Sequence, residues 1–191
     1  MNPILKTILA RARARGLMRR FGRDRRGLAA VEFALILPFL LLLYLGVVEV
    51  TQGVILNRKT TLAAATVSNI VAQYTTISSS SQVPDILKAA NQIFAPYSTS
   101  QANVIVSCIS IDANGKATVA WSNGLVAGTA RPTGQSVTVP TALDIPNTSI
   151  VLGEASYAYK ATFDFLHLGT INLYSPVYMS PRASTTITET S

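Results

Sequence analysis

The 191 residues carry a formal net charge of +7, and the imbalance sits almost entirely in the first 26 positions, where Lys6 and eight arginines stand against Asp24. That block abuts an apolar run and lacks the interleaved aromatics of a base-stacking surface, which argues against nucleic acid as a partner. A single cysteine, Cys108, excludes an intramolecular disulfide, and a single histidine, His167, excludes a histidine-based metal cluster.

Residues 1–27 read as a basic cytoplasmic leader, because Lys and Arg massed beside a transmembrane segment stay on the cytoplasmic side. Contact of this arm with anionic headgroups follows from the same charge. Residues 28–48 form an apolar run in which Glu32 is the only charge. As a helix it is roughly 30 Å long, the thickness of a bilayer's hydrocarbon core, so residues 28–50 are expected to span a membrane. The run is too long for a secretory signal, and no Ala-x-Ala pattern follows it. A mitochondrial transit peptide would explain the Arg-rich arm but not the spacing of Gly27 and Glu32. A carboxylate near the end of a spanning helix is costly unless protonated, paired or close to the headgroups, so Glu32 is either interfacial or functional.

Helical periodicity continues past the run. Ala63, Val67, Ile70 and Tyr74 share one stripe, with Asn57, Arg58, Thr61 and Ser68 left for the wet side. The helix is expected to reach about Tyr74 and to kink at Pro38, whose ring removes a backbone hydrogen bond. Four serines at 78–81 close it, so residues 51–82 read as an amphipathic extension and a Ser-rich linker. A second helix is predicted over 84–94, with Pro84 in its first turn, Ile86, Ala89, Ala90 and Ile93 on one face, and Pro96 as its stop.

From position 103 the pattern changes to strands. Residues 104–111 and 117–122 flank Asn114-Gly115, a strong hairpin signal. A two-residue turn there pairs Cys108 with Trp121 and Ser110 with Val119, and puts Val104, Val106, Cys108, Val119 and Trp121 on one core face. Residues 124–147 are rich in Gly, Pro and Thr and read as a long exposed excursion, with one short strand at 136–139. A long strand over 149–162 alternates Val151, Ala155, Tyr157 and Tyr159 onto one side, and 171–179 is the last strand, interrupted or edged by Pro176. The fold class is therefore α+β: a long N-terminal transmembrane helix continuing into a small exported domain, residues 83–191, with an antiparallel sheet.

Catalytic groupings are sparse. Cys108 lies in an apolar strand and reads as core, and His167 between two leucines reads as a packed or surface side chain. Asp112-Ala113-Asn114-Gly115 lacks the later ligands of a calcium loop and is better explained by the hairpin turn. The expectation is a protein that is not an enzyme, with no cofactor, no metal and no small-molecule substrate.

Gly27, Glu32 and Phe33, with Ala30-Val31-Glu32-Phe33-Ala34-Leu35-Ile36-Leu37-Pro38 behind an Arg-rich leader, resemble the TadE-like proteins, minor pseudopilins of the bacterial tight-adherence (Flp-type) pilus machinery. Tyr157-Ala158-Tyr159-Lys160, Phe163-Asp164-Phe165-Leu166 and Met179-Ser180-Pro181-Arg182 are similar to the way such proteins finish. The resemblance implies cleavage between Gly27 and Leu28 by a prepilin peptidase. It also implies pairing of Glu32 with the freed Leu28 amino group of a neighbouring subunit, with Phe33 where pilins usually carry tyrosine. The partners it implies are the inner membrane, the peptidase, other pilin or pseudopilin subunits and pilus-assembly proteins. The place is the bacterial inner membrane, single-pass, with the N-terminus cytoplasmic and the C-terminal domain periplasmic or extracellular. The competing expectation is an unprocessed bitopic inner-membrane protein whose exported domain binds an envelope or surface partner.

Overall fold

The computed structural model describes residues 26–163 and 169–191, so the basic arm before Arg26 and the segment 164–168, which holds His167, lie outside the described residues. The chain divides into two units, one ending at Val48 and the other running from Glu49 to Ser191. A single helix, α1 (Arg26–Val71), supplies the described part of the first unit and the start of the second, and it continues through Pro38. It ends at Val71 rather than Tyr74, and residues 72–75 turn the chain into a short strand, β1 (Thr76–Ser78).

Among the described residues of the first unit no apolar side chain is fully buried: Leu28, Val31, Phe33, Leu35, Phe39 and Leu43 are all more than half exposed. Among the described residues this is the one helix long and apolar enough to cross a membrane, with mean hydropathy 2.5.

The second unit is an antiparallel sheet with helices on one face. β2 (Ala102–Ile111), β3 (Ala117–Gly124), β4 (Thr148–Lys160) and β5 (Thr170–Met179) pair in the order β3-β2-β4-β5. Pro176 sits on β5, an edge strand of the sheet, where proline is tolerated. On one face Leu56, Ala63, Ala64, Val67 and Val71 of α1 pack with α2 (Gln82–Asn91), Phe94 and the strand residues Val104, Val106, Cys108, Val151, Ala155, Tyr157 and Tyr159. The rings of Phe94 and Tyr157 stack at 5.2 Å. The predicted alternation of β4 is observed, and so is the core position of Cys108, whose thiol pKa burial pushes up.

Three local expectations are corrected. Ser68, assigned to the wet side of α1, is fully buried: its hydroxyl donates to Ala64 O at 2.7 Å and Val177 O at 3.3 Å, so a polar group enters the core with its hydrogen bond made. It fits because Gly153 lies beneath it; a Cβ on Gly153 would stand 2.5 Å from Ala64 O and closer still to Ser68 Oγ. On α2 the buried face is Val83, Ile86, Leu87 and Ala90, with Ala89 exposed. The helix runs directly into a 3-10 turn over Gln92–Phe94, and Lys59 Nζ donates to the closing carbonyls of Ile93 and Ala95 at 2.7 and 2.8 Å.

The hairpin is the third correction. Its loop contains three residues, closed by Gly115 at φ +78°, and Asp112 Oδ1 accepts from the N–H groups of Asn114 and Lys116 at 2.8 and 2.9 Å. The register at Ile111↔Ala117 through Ile109↔Val119 is therefore one residue from that of a two-residue turn, and a bulge at Ala120 restores it at Cys108↔Trp121. A slip of one residue changes face. Ser110 pairs with Thr118, and Val119 joins Ile109, Ile111, Ala117, Ile150 and Leu152 in a second core on the other side of the sheet. Part of the 124–147 excursion covers that side: Val137, Val139 and Leu143 pack on it, and Val119 and Ala117 bond to Gln135 and Val137 along the edge of β3. The predicted strand at 136–139 is only a bridge, Thr118↔Ser136.

The end of the chain forms β6 (Thr188–Thr190), parallel to β1. Trp121 Nε1 donates to Ile187 O at 2.9 Å, and Ile187 is itself buried in the first core.

Candidate functional site

Gly27 and Leu28 lie in the first turn of α1, so the Gly27–Leu28 peptide is helical. A Cβ on Gly27 would meet nothing within 4 Å among the described residues, so packing against them does not require glycine there. What glycine does at that position is weaken the helix, by about 1 kcal/mol relative to alanine, and leave the backbone open to another molecule. Glu32, Phe33 and Pro38 follow on the same exposed helix, Phe33 at 59 %. Among the described residues no side chain pairs with Glu32. The five positions singled out from the sequence are thus neighbours along one helix, and among the described residues no polar contact joins them.

The polar clusters that the second unit builds carry no sequence motif. Glu154 lies on the second face of β4, 4 % exposed. Arg131, from the 124–147 excursion, reaches it with two parallel bonds, Nε to Oε2 and Nη2 to Oε1, both 2.7 Å, and Tyr174 of β5 donates its hydroxyl to Oε1 at 2.5 Å. Burial acts to raise the Glu154 pKa, but the bonds from Arg131 and Tyr174 and the charge of Arg131 outweigh it and hold the carboxyl below its ordinary value. The bond to Glu154 raises the pKa of Arg131, and burial together with the carboxylate pushes Tyr174 up to about 12. Arg131 N–H also donates to Ser122 Oγ at 3.0 Å, which is bonded to Ser107 Oγ at 2.8 Å. This is a fastener for the excursion: a bidentate pair with its remaining oxygen capacity used by a phenol.

A second carboxylate, Glu49, accepts from Tyr159 Oη at 2.5 Å and from the backbone N–H of Phe163 at 2.7 Å. Burial and this carboxylate raise the Tyr159 pKa. Glu49 follows the apolar run directly, so the residue that ends the run is tied to the far end of β4.

With these positions in place, comparison with known families gives one match. Residues 27–68 match the family model described as TadE-like protein. Over that stretch the chain is similar to that family. The match opens on Gly27 and closes on Ser68, so it takes in the exposed helix and most of the part of α1 packed on the sheet. It is longer than the motif region read from the sequence, and the similarities at 157–166 and 179–182 lie outside it. No curated protein and no solved structure matches the chain. Nothing in the TadE-like match touches Arg131, Glu154 or Tyr174. No sequence signal marks them, since the pairing joins residues of three separate segments through the folded sheet.

Proposed function

We propose that this chain is a pseudopilin-like structural or assembly component of a tight-adherence (Flp-type) pilus or related secretion machinery, anchored in the bacterial inner membrane by α1. Its arm would face the cytoplasm and its second unit the periplasm or exterior. The observation that carries the reading is the coincidence of a TadE-like match beginning at Gly27 with an apolar helical run whose side chains over residues 28–44 are exposed. Such a surface needs lipid or other helices around it. Gly46, like Gly27, has open space where a Cβ would stand, and a notch of this kind lets a second helix approach closely.

Processing fits the same arrangement. A prepilin peptidase must reach an extended backbone, and the Gly27–Leu28 bond lies in a first helical turn that glycine weakens. Cleavage would leave a charged amino group on Leu28, and Glu32 is one helical turn on, exposed and without a side-chain partner among the described residues. Pairing between the Leu28 amino group of one subunit and Glu32 of the next would satisfy both charges in lipid and fix the stagger between subunits. The second unit would be the part displayed to other pilus components.

The test is the N-terminus of the mature protein in its own cell. Leu28 as first residue, with Gly27→Leu accumulating at the mass of the full chain, is the expected result. Met1 or Asn2 as first residue, with normal adherence of the Gly27→Leu strain, would overturn processing and favour an unprocessed bitopic anchor whose second unit binds an envelope partner.

A further inference from the structure

The second unit has a polar, hydrogen-bonded anchor and an apolar rim at the same end. Glu49 follows the last residue of the apolar run and is bonded to Tyr159 Oη and Phe163 N. Around that point Phe163 is 43 % exposed and Ile171, paired with Tyr159 across β4 and β5, is 41 % exposed. Val50 and Val54 on α1 are also exposed, and Lys160, beside Tyr159, has its side chain in solvent. The opposite end of the sheet carries the hairpin loop, where Asp112, Asn114 and Lys116 are exposed and Ile145 is the exposed aliphatic beside them.

We infer that this rim, with Phe163 and Ile171 at its centre, rests in the headgroup layer of the bilayer that α1 crosses, as a second contact of the protein with lipid. The inference rests on α1 being a membrane span.

Three observations select lipid as the occupant. The first is distance along the chain: Phe163 N is bonded to the side chain of the first residue beyond the apolar run. The polar layer on each side of the hydrocarbon core is about 5 to 7 Å deep, so a group held at Glu49 lies at that level by covalent connection. The second is composition. An aromatic and aliphatic residues beside a lysine match the interfacial pattern, in which rings lie among the headgroups and the ammonium extends to phosphate. The third is the state of Glu49: its two carboxylate oxygens take a phenol hydroxyl and a backbone N–H from the protein, which is the satisfaction a carboxylate needs where water is scarce.

The experiment uses the full-length protein in phosphatidylcholine vesicles, compared with vesicles in which half of the lipid carries bromine on the acyl chain near the glycerol. Tryptophan is introduced singly at Phe163, at Ile171, at Leu40 within the span and at Asn114 on the hairpin loop, and the fluorescence of native Trp121 is subtracted using the unsubstituted protein. Asn114 lies at the other end of strands about 40 Å long, out of reach of the bilayer if the rim rests on it. Loss of fluorescence in brominated vesicles is expected for Phe163→Trp, Ile171→Trp and Leu40→Trp, with none for Asn114→Trp. Quenching at Leu40 with none at Phe163 or Ile171 would overturn the rim contact while leaving the span intact. Equal quenching at Asn114 and Phe163 would overturn it as well, because the domain would then lie on the membrane without a preferred end. Absence of quenching at Leu40 would overturn the span and the inference together.

Discussion

Replacing Arg131 with methionine keeps an apolar stem of similar length and removes both charged donors from Glu154. The remaining carboxylate side chain is 5 % exposed and keeps only the Tyr174 hydroxyl. Breaking a buried ion pair from one side costs about 3 to 5 kcal/mol. The Arg131 side chain is 29 % exposed and Tyr174 still donates, so the lower end, about 3 kcal/mol, is the expected loss. For a chain of this length that lowers Tm by about 6 to 12 °C. Changing both partners, Arg131→Met with Glu154→Leu, should recover most of the loss, because a buried pair replaced by apolar groups is often neutral.

The pH dependence follows from the direction of the Glu154 shift. Burial raises its pKa, the Arg131 and Tyr174 interactions lower it further, and the folded value lies below the unfolded one. A depressed carboxyl contributes its stability in full above the unfolded pKa, near 4.3 on the model-peptide scale, and loses it as pH falls through the folded pKa. The gap between the parent protein and Arg131→Met should therefore be widest near neutral pH and close progressively below about pH 4. Thermal melts of the full chain in detergent, followed by circular dichroism across that range, measure both effects. A variant melting within about 2 °C of the parent at neutral pH, or a gap that persists unchanged in acid, would refute the reasoning.

Gly153→Ala should cost about 1 to 3 kcal/mol in the same melts, since its Cβ would meet the Ala64 carbonyl and Ser68, and Ser68→Ala in that background should return part of the loss by opening space. Val67→Ser places a hydroxyl in the centre of the α1 packing face and should lower stability by about 2 kcal/mol. In an alkaline titration followed by phenolate absorbance, Tyr157, Tyr159 and Tyr174 should ionise above the ordinary tyrosine range, because burial raises each of them. The raised Tyr174 contributes stability below its unfolded pKa near 10 and loses it as pH rises through about 12, so Tyr174→Phe should remove one late-titrating group and flatten the alkaline loss. Glu32→Gln keeps size and membrane compatibility, so membrane insertion should persist while pilus-dependent adherence falls; unchanged adherence would remove Glu32 from subunit pairing.

The parts of the fold that were legible in the sequence are those set by local periodicity. The apolar run, the stripe through Ala63 and Val67, the alternation of Val151, Ala155, Tyr157 and Tyr159, and the edge position signalled by Pro176 all follow from neighbours a few residues apart. What the sequence did not disclose depends on tertiary geometry. Ser68 looks like a solvent residue until Gly153 is placed under it. Val119 looks like a partner of Trp121 until the loop at Gly115 is counted and the bulge at Ala120 inserted. The β1–β6 pair joins residues more than a hundred positions apart and has no alternation of its own to announce it. The Arg131–Glu154–Tyr174 cluster was missed for the same reason, since bidentate geometry emerges only when an excursion and two strands meet. The expectations at Gly27, Leu28, Glu32 and Phe33 rest on spacing along one helix, a signal that needs no tertiary contact.

The two parts of α1 meet different surroundings, and the side chains record where the change occurs. Over residues 28–44 the apolar residues are exposed on every side of the helix, and Gly27 and Gly46 have open space where a Cβ would stand. From Leu56 onward one face is fully buried, and the glycine that faces it, Gly153, has no room for a single added carbon. A substitution within residues 28–44 changes an exposed side chain, so its expected effects come through lipid or another molecule. A substitution on the buried face after Leu56 acts through folding. The TadE-like match crosses this boundary without a break, from Gly27 to Ser68. The matched segment thus couples two physically distinct tasks, presenting an apolar surface to its surroundings and anchoring a sheet through small residues such as Ala63, Ala64 and Ser68, which let the helix lie close to β4.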